Sequence, residues 1–576
     1  MAWAILLVVQ GLLPVASVYL TRILVDGLVV AIGAGGSWAS IQPMVIPAVL
    51  FAGVMLLTVL LQSVNEWINT AQSELIQDYI SQKVHTQAVM VDLAFYESPD
   101  YFDRLHRAAN EAASHPLALM QSTGSLLQNG LTLVGMGAVL IPYGLWLPVV
   151  LVLSTLPALY VVLRYNLQYH QWWEGTTQDR RWTNYYNTLL TNSMAAAEIR
   201  LFGLGDMFSD AYQSLRSRLR SEHLGLIRSQ TISRLGASVI ALLISGVAII
   251  WFGWQVIHGI YSLGDLALFN QAFNRGQSLM RALLGNIGQI YNNSLFLGNL
   301  FEFFDLQPEI TDPPDPVALS RELRTGIRLS DISFRYPGSD LPVLRDFCLD
   351  IPAGQIVAIV GENGAGKSTL VKLLCRFYDP EQGTIQFDGT DVRRIAVSDL
   401  RRMISVLFQF PVTYHTTARK NIAIGDHPSD PEFAAVEIAA RSAGAHDVIA
   451  NLPLGYETLL GKWFADGAEL SAGEWQKIAL ARAYLRSAPL IILDEPTSFM
   501  DSWSEADWFE RFRELAQGRT AILITHRFTI AKRADIIHVM QAGRIIESGS
   551  HADLLAQGGH YAQSWISQTQ VQPEFA

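Results

Sequence analysis

Hydrophobic and polar positions divide the chain into two textures. Over residues 1–304 apolar positions run together with few charges. Over residues 327–576 short Val/Ile/Leu runs alternate with polar, helix-length stretches. The first pattern is that of helices in lipid, the second that of strands buried between helices. Between them DLQPEITDPPDPVALS, residues 305–320, is rich in Pro and Asp, a linker composition. The expected division is an α-helical transmembrane domain over 1–304, a linker over 305–326 and an α/β domain over 327–576.

The opening run carries only Arg22 and Asp26 as charges before Gly33. It lacks a basic n-region and is too long for a signal peptide, so it reads as a first membrane helix. It begins at the first residue, so a start further upstream is left open. Residues 43–61 have no charge and suit a second span. Residues 112–163 hold no Asp, Glu, Lys or Arg. That is far more than one span needs, and IPYG at 141–144 breaks them into a hairpin of two. Residues 235–264 make a fifth span. Residues 266–304 make a sixth, more polar one, with Arg275 and Arg281.

Segments 33–42, 141–145 and 257–264 contain no Lys or Arg, whereas 63–111 and 164–234 contain Lys83, Arg104, Arg107 and nine arginines from Arg164 to Arg234. Basic loops stay in the cytoplasm. The two long segments are therefore predicted to be cytoplasmic, as helical extensions directed at the second domain. Ordinary soluble inserts are the alternative.

Composition fits a membrane protein. Of 576 residues 50% are hydrophobic and 16% charged, against about 25% charged in soluble proteins. The net charge of −11 and the lack of a basic tract speak against a nucleic-acid partner. Cys348 and Cys375 have no CxxC partner and are expected to be reduced thiols in a cytosolic core.

Residues 356–374, IVAIVGENGAGKSTLVKLL, put an apolar strand before a Gly-rich loop and a helix. They fit G-x-x-x-x-G-K-[ST] at Gly361, Gly366, Lys367 and Ser368. The chemistry needs that spacing. Glycines let successive backbone N–H groups over Gly361, Glu362, Asn363, Gly364, Ala365 and Gly366 wrap phosphates. The helix start at Lys367, Ser368 and Thr369 adds its positive end. Lys367 would reach the β- and γ-phosphates, and Ser368 would bind Mg²⁺. Residues 490–498, LIILDEPTS, supply a buried strand ending at Asp494, suited to sit beside Mg²⁺. Glu495 follows, a carboxylate able to polarise an attacking water as general base. Together they predict ATP hydrolysis, with ATP and Mg²⁺ as ligands.

The motifs occur in a specific order: the P-loop 361–369, Gln409 in VLFQF, residues 470–474, LIILDEPTS, then His526 in LITHR. In that order the second half resembles the nucleotide-binding domain of the ATP-binding cassette (ABC) superfamily. The whole chain resembles a bacterial six-helix ABC exporter half-transporter of the peptide, lantibiotic or multidrug kind. The resemblance implies a transmembrane domain fused to an α/β P-loop NTPase domain. It also implies residence in the cytoplasmic membrane with the nucleotide-binding domain in the cytoplasm, and pairing with a second copy or a related half-transporter. It implies further that Tyr336 in FRYPG stacks on adenine, that Gln409 touches Mg²⁺ and senses the membrane domain, and that His526 contacts the γ-phosphate. Asp501 in SFMD would order the dimer interface, though Phe499 and Met500 are larger than the family's usual residues. Residues 92–105 and 195–208 resemble the two coupling helices that dock on nucleotide-binding domains. Amphipathic helix packing is their other reading.

The family signature Leu-Ser-Gly-Gly-Gln reads here Leu470, Ser471, Ala472, Gly473, Glu474. By the resemblance, Ser471 and the Gly473 N–H cover ATP on the partner's P-loop. Ala472 keeps its own N–H. At negative φ it costs nothing; at positive φ it costs on the order of 1 kcal/mol and slows closure. The implied function is ATP-driven export by alternating access. An ATP-gated sensor or regulatory subunit and one half of a heterodimer are the alternatives, while a soluble ATPase conflicts with the apolar spans. Residues 270–293 of the sixth span, with amides and two arginines, are predicted to line the cavity, with helix–helix hydrogen bonding as the equal alternative for the individual Asn and Gln. Peptide, lipid and drug cargo stay open. The peptidase domain that precedes the first span in some relatives is not expected here.

Overall fold

The computed structural model describes residues 2–35, 37–97, 115–498 and 502–569. The chain forms two compact units, one over Met1–Val89 and Arg104–Leu306, the other over Met90–Asp103 and Gln307–Ala576.

The first unit is helical: α1 (Ala2–Gly33), α2 (Trp38–Met90), α3 (His115–Leu140), α4 (Trp146–Gly175), α5 (Thr177–Thr191), α6 (Ala196–Leu201), α7 (Gly205–Ile257) and α8 (Leu263–Phe304). Five of them, α1, α2, α3, α4 and α7, are long and apolar enough to cross a membrane. The sixth expected span, α8, has 42 residues but is too polar to join that set. Helices α2 and α7 have 53 residues each, about 80 Å at 1.5 Å per residue. A hydrocarbon core of ~30 Å accommodates less than half of that. The helix of α2 continues through the polar residues after 63, and that of α7 already runs through the arginine-rich stretch from 205.

The break between α3 and α4 is a tight turn at Ile141–Tyr143 closed by Gly144 at φ +140°. A Cβ there would lie 2.8 Å from the Trp146 indole nitrogen, so the turn requires glycine. At the same end of the unit Arg22 Nε is 2.7 Å from Asp265 Oδ1. The Tyr143 hydroxyl donates to that oxygen at 2.6 Å, and the Gly264 N–H donates to Asp26 at 2.8 Å. This polar knot ties α1, the turn and the start of α8. Beneath it Phe252 stacks on Phe269 at 4.7 Å within a buried cluster that includes Leu147, Leu151 and Phe273. Further along, Gln277 of α8 donates to Ser154 of α4 (3.0 Å) and Ser245 of α7 (2.8 Å). These three border a cavity of about 660 Å³ that Asn274 and Arg281 also line.

Residues 305–325 contain no helix or strand. The second unit then runs through β1 (Gly326–Phe334), β2 (Leu344–Pro352), β3 (Ile356–Gly361), β4 (Gln382–Phe387), β5 (Thr390–Asp391), β6 (Ile404–Leu407), β7 (Leu490–Asp494), β8 (Thr520–Ile524), β9 (Ile536–Gln541) and β10 (Arg544–Gly549). Strands pair antiparallel in the order β2-β1-β4-β5. A second sheet has the order β10-β9-β3-β8-β7-β6 and is parallel from β9 to β6. Strands β7 and β8 are buried along their whole length, which is why they read as unbroken apolar runs. In β2 buried and exposed positions alternate from Phe347 onward, so Cys348 faces solvent rather than the expected core. Cys375 is buried, both thiols are free, and burial pushes Cys375 up to about 12.

Candidate nucleotide site

Four neighbouring strands deliver the predicted residues from their C-terminal ends, where parallel sheets bind ligands. The P-loop follows β3, His526 follows β8, Asp494 ends β7, and Gln409 follows β6. The loop is shaped by glycine. Gly364 and Gly366 have φ of +83° and +103°, and Gly366 caps helix α9 (Lys367–Leu374). A Cβ on Gly361 would sit 2.2 Å from the Met540 carbonyl of β9. Glu362, Asn363 and Gly364 are exposed, while Ala365 is buried beneath them.

Lys367 is buried and donates to the carbonyls of Gly361 (2.7 Å) and Glu362 (2.8 Å), so its ammonium lies inside the loop that it follows. Burial lowers its pKa against the pull of Glu495 and Asp494. Ser368 Oγ donates to Asp494 Oδ2 at 3.3 Å. Asp494 is buried, which pushes it up to about 6. Among the described residues no group of three or more His, Cys, Asp or Glu could hold a metal ion. The hydroxyl and carboxylate of Ser368 and Asp494 are instead the sparse oxygen set that Mg²⁺ takes from proteins when phosphates and waters complete its shell. Thr369 Oγ1 meets the Tyr336 hydroxyl at 2.9 Å.

Glu495 is the hub. Its Oε2 accepts from Gln409 Nε2 at 3.2 Å, and its Oε1 lies 3.2 Å from His526 Nδ1. Its backbone has φ +52°, a left-handed conformation costing on the order of 1 kcal/mol outside glycine. Two residues hold that backbone: the Glu495 carbonyl accepts from Gln476 Nε2 (3.1 Å) and Ser498 Oγ (2.7 Å). Sequence reasoning missed both. Ser498 stands inside LIILDEPTS and Gln476 just past the signature, but only the tertiary fold aims them at Glu495.

Ser471 caps helix α10 (Ala472–Leu485), whose first turn begins at Ala472. Ala472 is not among the positive-φ residues. The alanine therefore carries no backbone penalty, and of the two expectations the costless one holds. Glu474 completes a capping box: its N–H donates to Ser471 Oγ, and its Oε2 accepts the Ser471 N–H at 2.8 Å. Gly473 follows within the same turn. Asp501, with Phe499 and Met500, lies outside the described residues, as does most of the 92–105 stretch. Its described part forms the helix Leu93–Tyr96.

This geometry has relatives. The family model described as ABC transporter matches residues 344–498. The chain is 33% identical over 491 residues to the ATP-dependent lipid A-core flippase of Syntrophus aciditrophicus, covering 84% of this chain and 78% of that one. The chain belongs to the ABC exporters. Over nearly its whole length, 98% of this chain and 91% of the relative, it is 26% identical to the subtilin transport ATP-binding protein of Bacillus subtilis. Its fold is that of a solved bacterial Atm1-family ABC exporter with ATP bound, at TM-score 0.81 and 26% identity, covering 100% of this chain and 99% of the other. The ABC exporter described here is thus a multi-pass membrane half-transporter. Its α/β domain binds and hydrolyses ATP, and that hydrolysis drives export.

Proposed function

We propose that this exporter works as a homodimer in the cytoplasmic membrane, with its ATPase domain in the cytoplasm, and that it moves an amphipathic peptide outward. The observation that carries the catalytic part is the convergence of Gln409, His526 and Ser498 on Glu495. In this reading the N–H groups of the P-loop and Lys367 hold the phosphates, and Tyr336 stacks on the base. Glu495 takes the proton of the attacking water, and His526 orients that carboxylate and meets the γ-phosphate. Mg²⁺, held by Ser368, Asp494 and Gln409, would draw charge from the phosphate oxygens. Ser471 and Gly473 of a second copy close the site with a helix N-terminus. Asp501 is assigned to the dimer interface on the resemblance alone.

The surfaces support a second copy. Leu201 and Phe202 at the end of α6 are 78% and 65% exposed, and Phe410 and Val412, beside Gln409, are 79% and 60% exposed. Two apolar pairs left uncovered in one chain suit docking between copies, a helix end against the surface next to Gln409. The absence of Lys and Arg from 33–42, 141–145 and 257–264 supports the orientation.

For cargo, the cavity offers two amides, three serine hydroxyls, the Thr155 hydroxyl and Arg281 among aliphatic walls. That suits an amphipathic molecule with backbone amides and an acidic group. Whole-length similarity to transport proteins named for subtilin and nisin favours peptide. Inside-out vesicles carrying the protein should take up a fluorescent lantibiotic-type peptide when ATP is added. Flipping of a labelled lipid with no peptide uptake would overturn the peptide reading and support a flippase.

A further inference from the structure

The unit that contains the ATPase sequence also contains a piece of chain from far upstream, the helix Leu93–Tyr96. Its flanking carboxylates are both engaged. Asp92 Oδ2 accepts the backbone N–H of Glu309 (2.5 Å) and of Ile310 (3.4 Å). Glu97 accepts from the Lys372 ammonium and the Tyr378 hydroxyl, each at 2.5 Å. Leu93 and Ala94 pack against the apolar core that includes Leu370, Leu373 and Leu374 of α9.

The contacts of Lys372 lead on to Tyr336. Lys372 lies one turn beyond Thr369 on α9, and its Nζ stands 4.9 Å from the centre of the Tyr336 ring. Tyr378 meets that ring edge-on at 5.4 Å and 89°, and Phe334 meets it at 5.1 Å and 79°. The Tyr336 hydroxyl is fixed by Thr369. A cavity of about 400 Å³ is bordered by Ala94, Glu97, Tyr336, Pro337, Lys372 and Tyr378.

We propose that Glu97 and Lys372 are positioning residues for the nucleobase. The pair holds the Tyr336 ring in place only while the helix Leu93–Tyr96 is seated, so this connection between membrane helices sets the affinity for ATP more than the rate of its hydrolysis. The inference rests on the reading of Tyr336 as the base-stacking residue. The physical argument is local. Glu97 holds the Lys372 ammonium against the ring, where a cation is attracted. Without Glu97 the ammonium is free to turn to water, and Tyr378 loses its hydroxyl partner at the same time. The ring then loses its cation and one of its edge supports together. Neither Glu97 nor Lys372 bonds to the Glu495 hub, so the effect falls on the base end of the nucleotide.

The test is ATPase activity of the full-length protein in lipid nanodiscs as a function of ATP, for Glu97→Gln, Lys372→Met, the double variant, Lys372→Arg and Tyr336→Ala. Each of the first two should raise KM for ATP about three- to fivefold, more than it lowers kcat. The double variant should match Lys372→Met alone, because both changes cut one chain of contacts. Lys372→Arg, which keeps the ion pair and the cation over the ring, should bring KM back to within about twofold of wild type. Inhibition by tripolyphosphate, which has no base, should shift far less than KM. A KM that rises for Tyr336→Ala but stays put for Glu97→Gln and Lys372→Met overturns this inference and leaves the stacking reading intact. An unmoved KM in Tyr336→Ala overturns the stacking reading itself. Equal shifts for ATP and tripolyphosphate mean general damage to the site and also overturn the inference. Should Glu97→Gln not fold, Lys372→Met with tripolyphosphate decides the question alone.

Discussion

The carboxylate of Glu495 and the imidazole of His526 lie 3.2 Å apart, Oε1 to Nδ1, although they follow different strands of the parallel sheet. Strands β7 and β8 are neighbours in exact-register pairing from Leu490 with Thr520 to Asp494 with Ile524. The next residues of each therefore emerge side by side. The left-handed turn at Glu495 brings its side chain back toward His526 and Gln409 instead of letting it continue along the strand. The histidine is thus an orienting group for the carboxylate before any nucleotide arrives.

His526→Ala should lower ATP turnover by about 100-fold or more, the usual effect of losing a group engaged with a general base, while nucleotide binding by a fluorescent ATP analogue persists. Turnover within a few-fold of wild type would mean that Glu495 needs no help from His526.

The backbone of Ala472 predicts a modest role for that residue. Ala472→Gly restores the family's usual glycine but loosens the first turn of α10, at up to about 1 kcal/mol. ATPase turnover should stay level or fall slightly. A severalfold rise would show that alanine hinders closure despite its helical φ. Glu474→Ala should lower thermal stability by about 1 kcal/mol through loss of the capping box, and Glu474→Gln should retain most of it.

The polar knot beside the α3–α4 turn should act as a unit. Arg22→Met removes the ion-pair partner of the buried Asp265; with Arg22 itself half-exposed and Tyr143 still donating to the carboxylate, the loss is about 1–3 kcal/mol, seen as a lower Tm in detergent and reduced yield. The double variant Arg22→Met with Asp265→Asn should recover most of the loss. If the double is as unstable as the single, charge pairing does not join these helices. Gly264→Ala should also destabilise, because its Cβ would lie 2.4 Å from Asp26 Cγ and 2.5 Å from the Arg22 carbonyl.

The two thiols should react very differently. Cys348 is exposed and Cys375 buried with its pKa pushed up to about 12. The reactive thiolate of Cys375 is therefore scarce at pH 8 and shielded besides. Maleimide labelling of the native protein should modify one cysteine quickly and the second only after denaturation. Rapid labelling of both would place Cys375 at a surface.

Much of this molecule is legible in the sequence because its signals are local. The P-loop spacing names Gly361, Gly366, Lys367 and Ser368, since a wrapped phosphate loop tolerates little else, and uncharged runs reveal helices that meet lipid. The polar span α8 reads as a helix-length stretch, but its amides and charges keep hydropathy alone from counting it, and only the fold shows that Gln277 satisfies its amide on Ser154 and Ser245 from two other helices. The sequence points to a core thiol at Cys348, and only the alternation of β2 turns it outward. Gln476, Ser498 and the Glu97–Lys372 pair were not legible as a site. Gln476 and the Glu97–Lys372 pair meet their partners across 19 and 275 residues, where only the fold decides which groups meet, and Ser498, three residues from Glu495, reaches its carbonyl only because the backbone turns left-handed there.

The most direct test of the catalytic centre is the ATPase rate of this chain alone, purified in lipid nanodiscs, beside its Glu495→Gln variant. The expected result is steady turnover by wild type and a loss of at least about 100-fold in the variant, with ATP binding retained by both. A variant that still hydrolyses at a substantial fraction of the wild-type rate would contradict Glu495 as the general base, and a wild type that binds ATP without turning it over would contradict the self-sufficient homodimer.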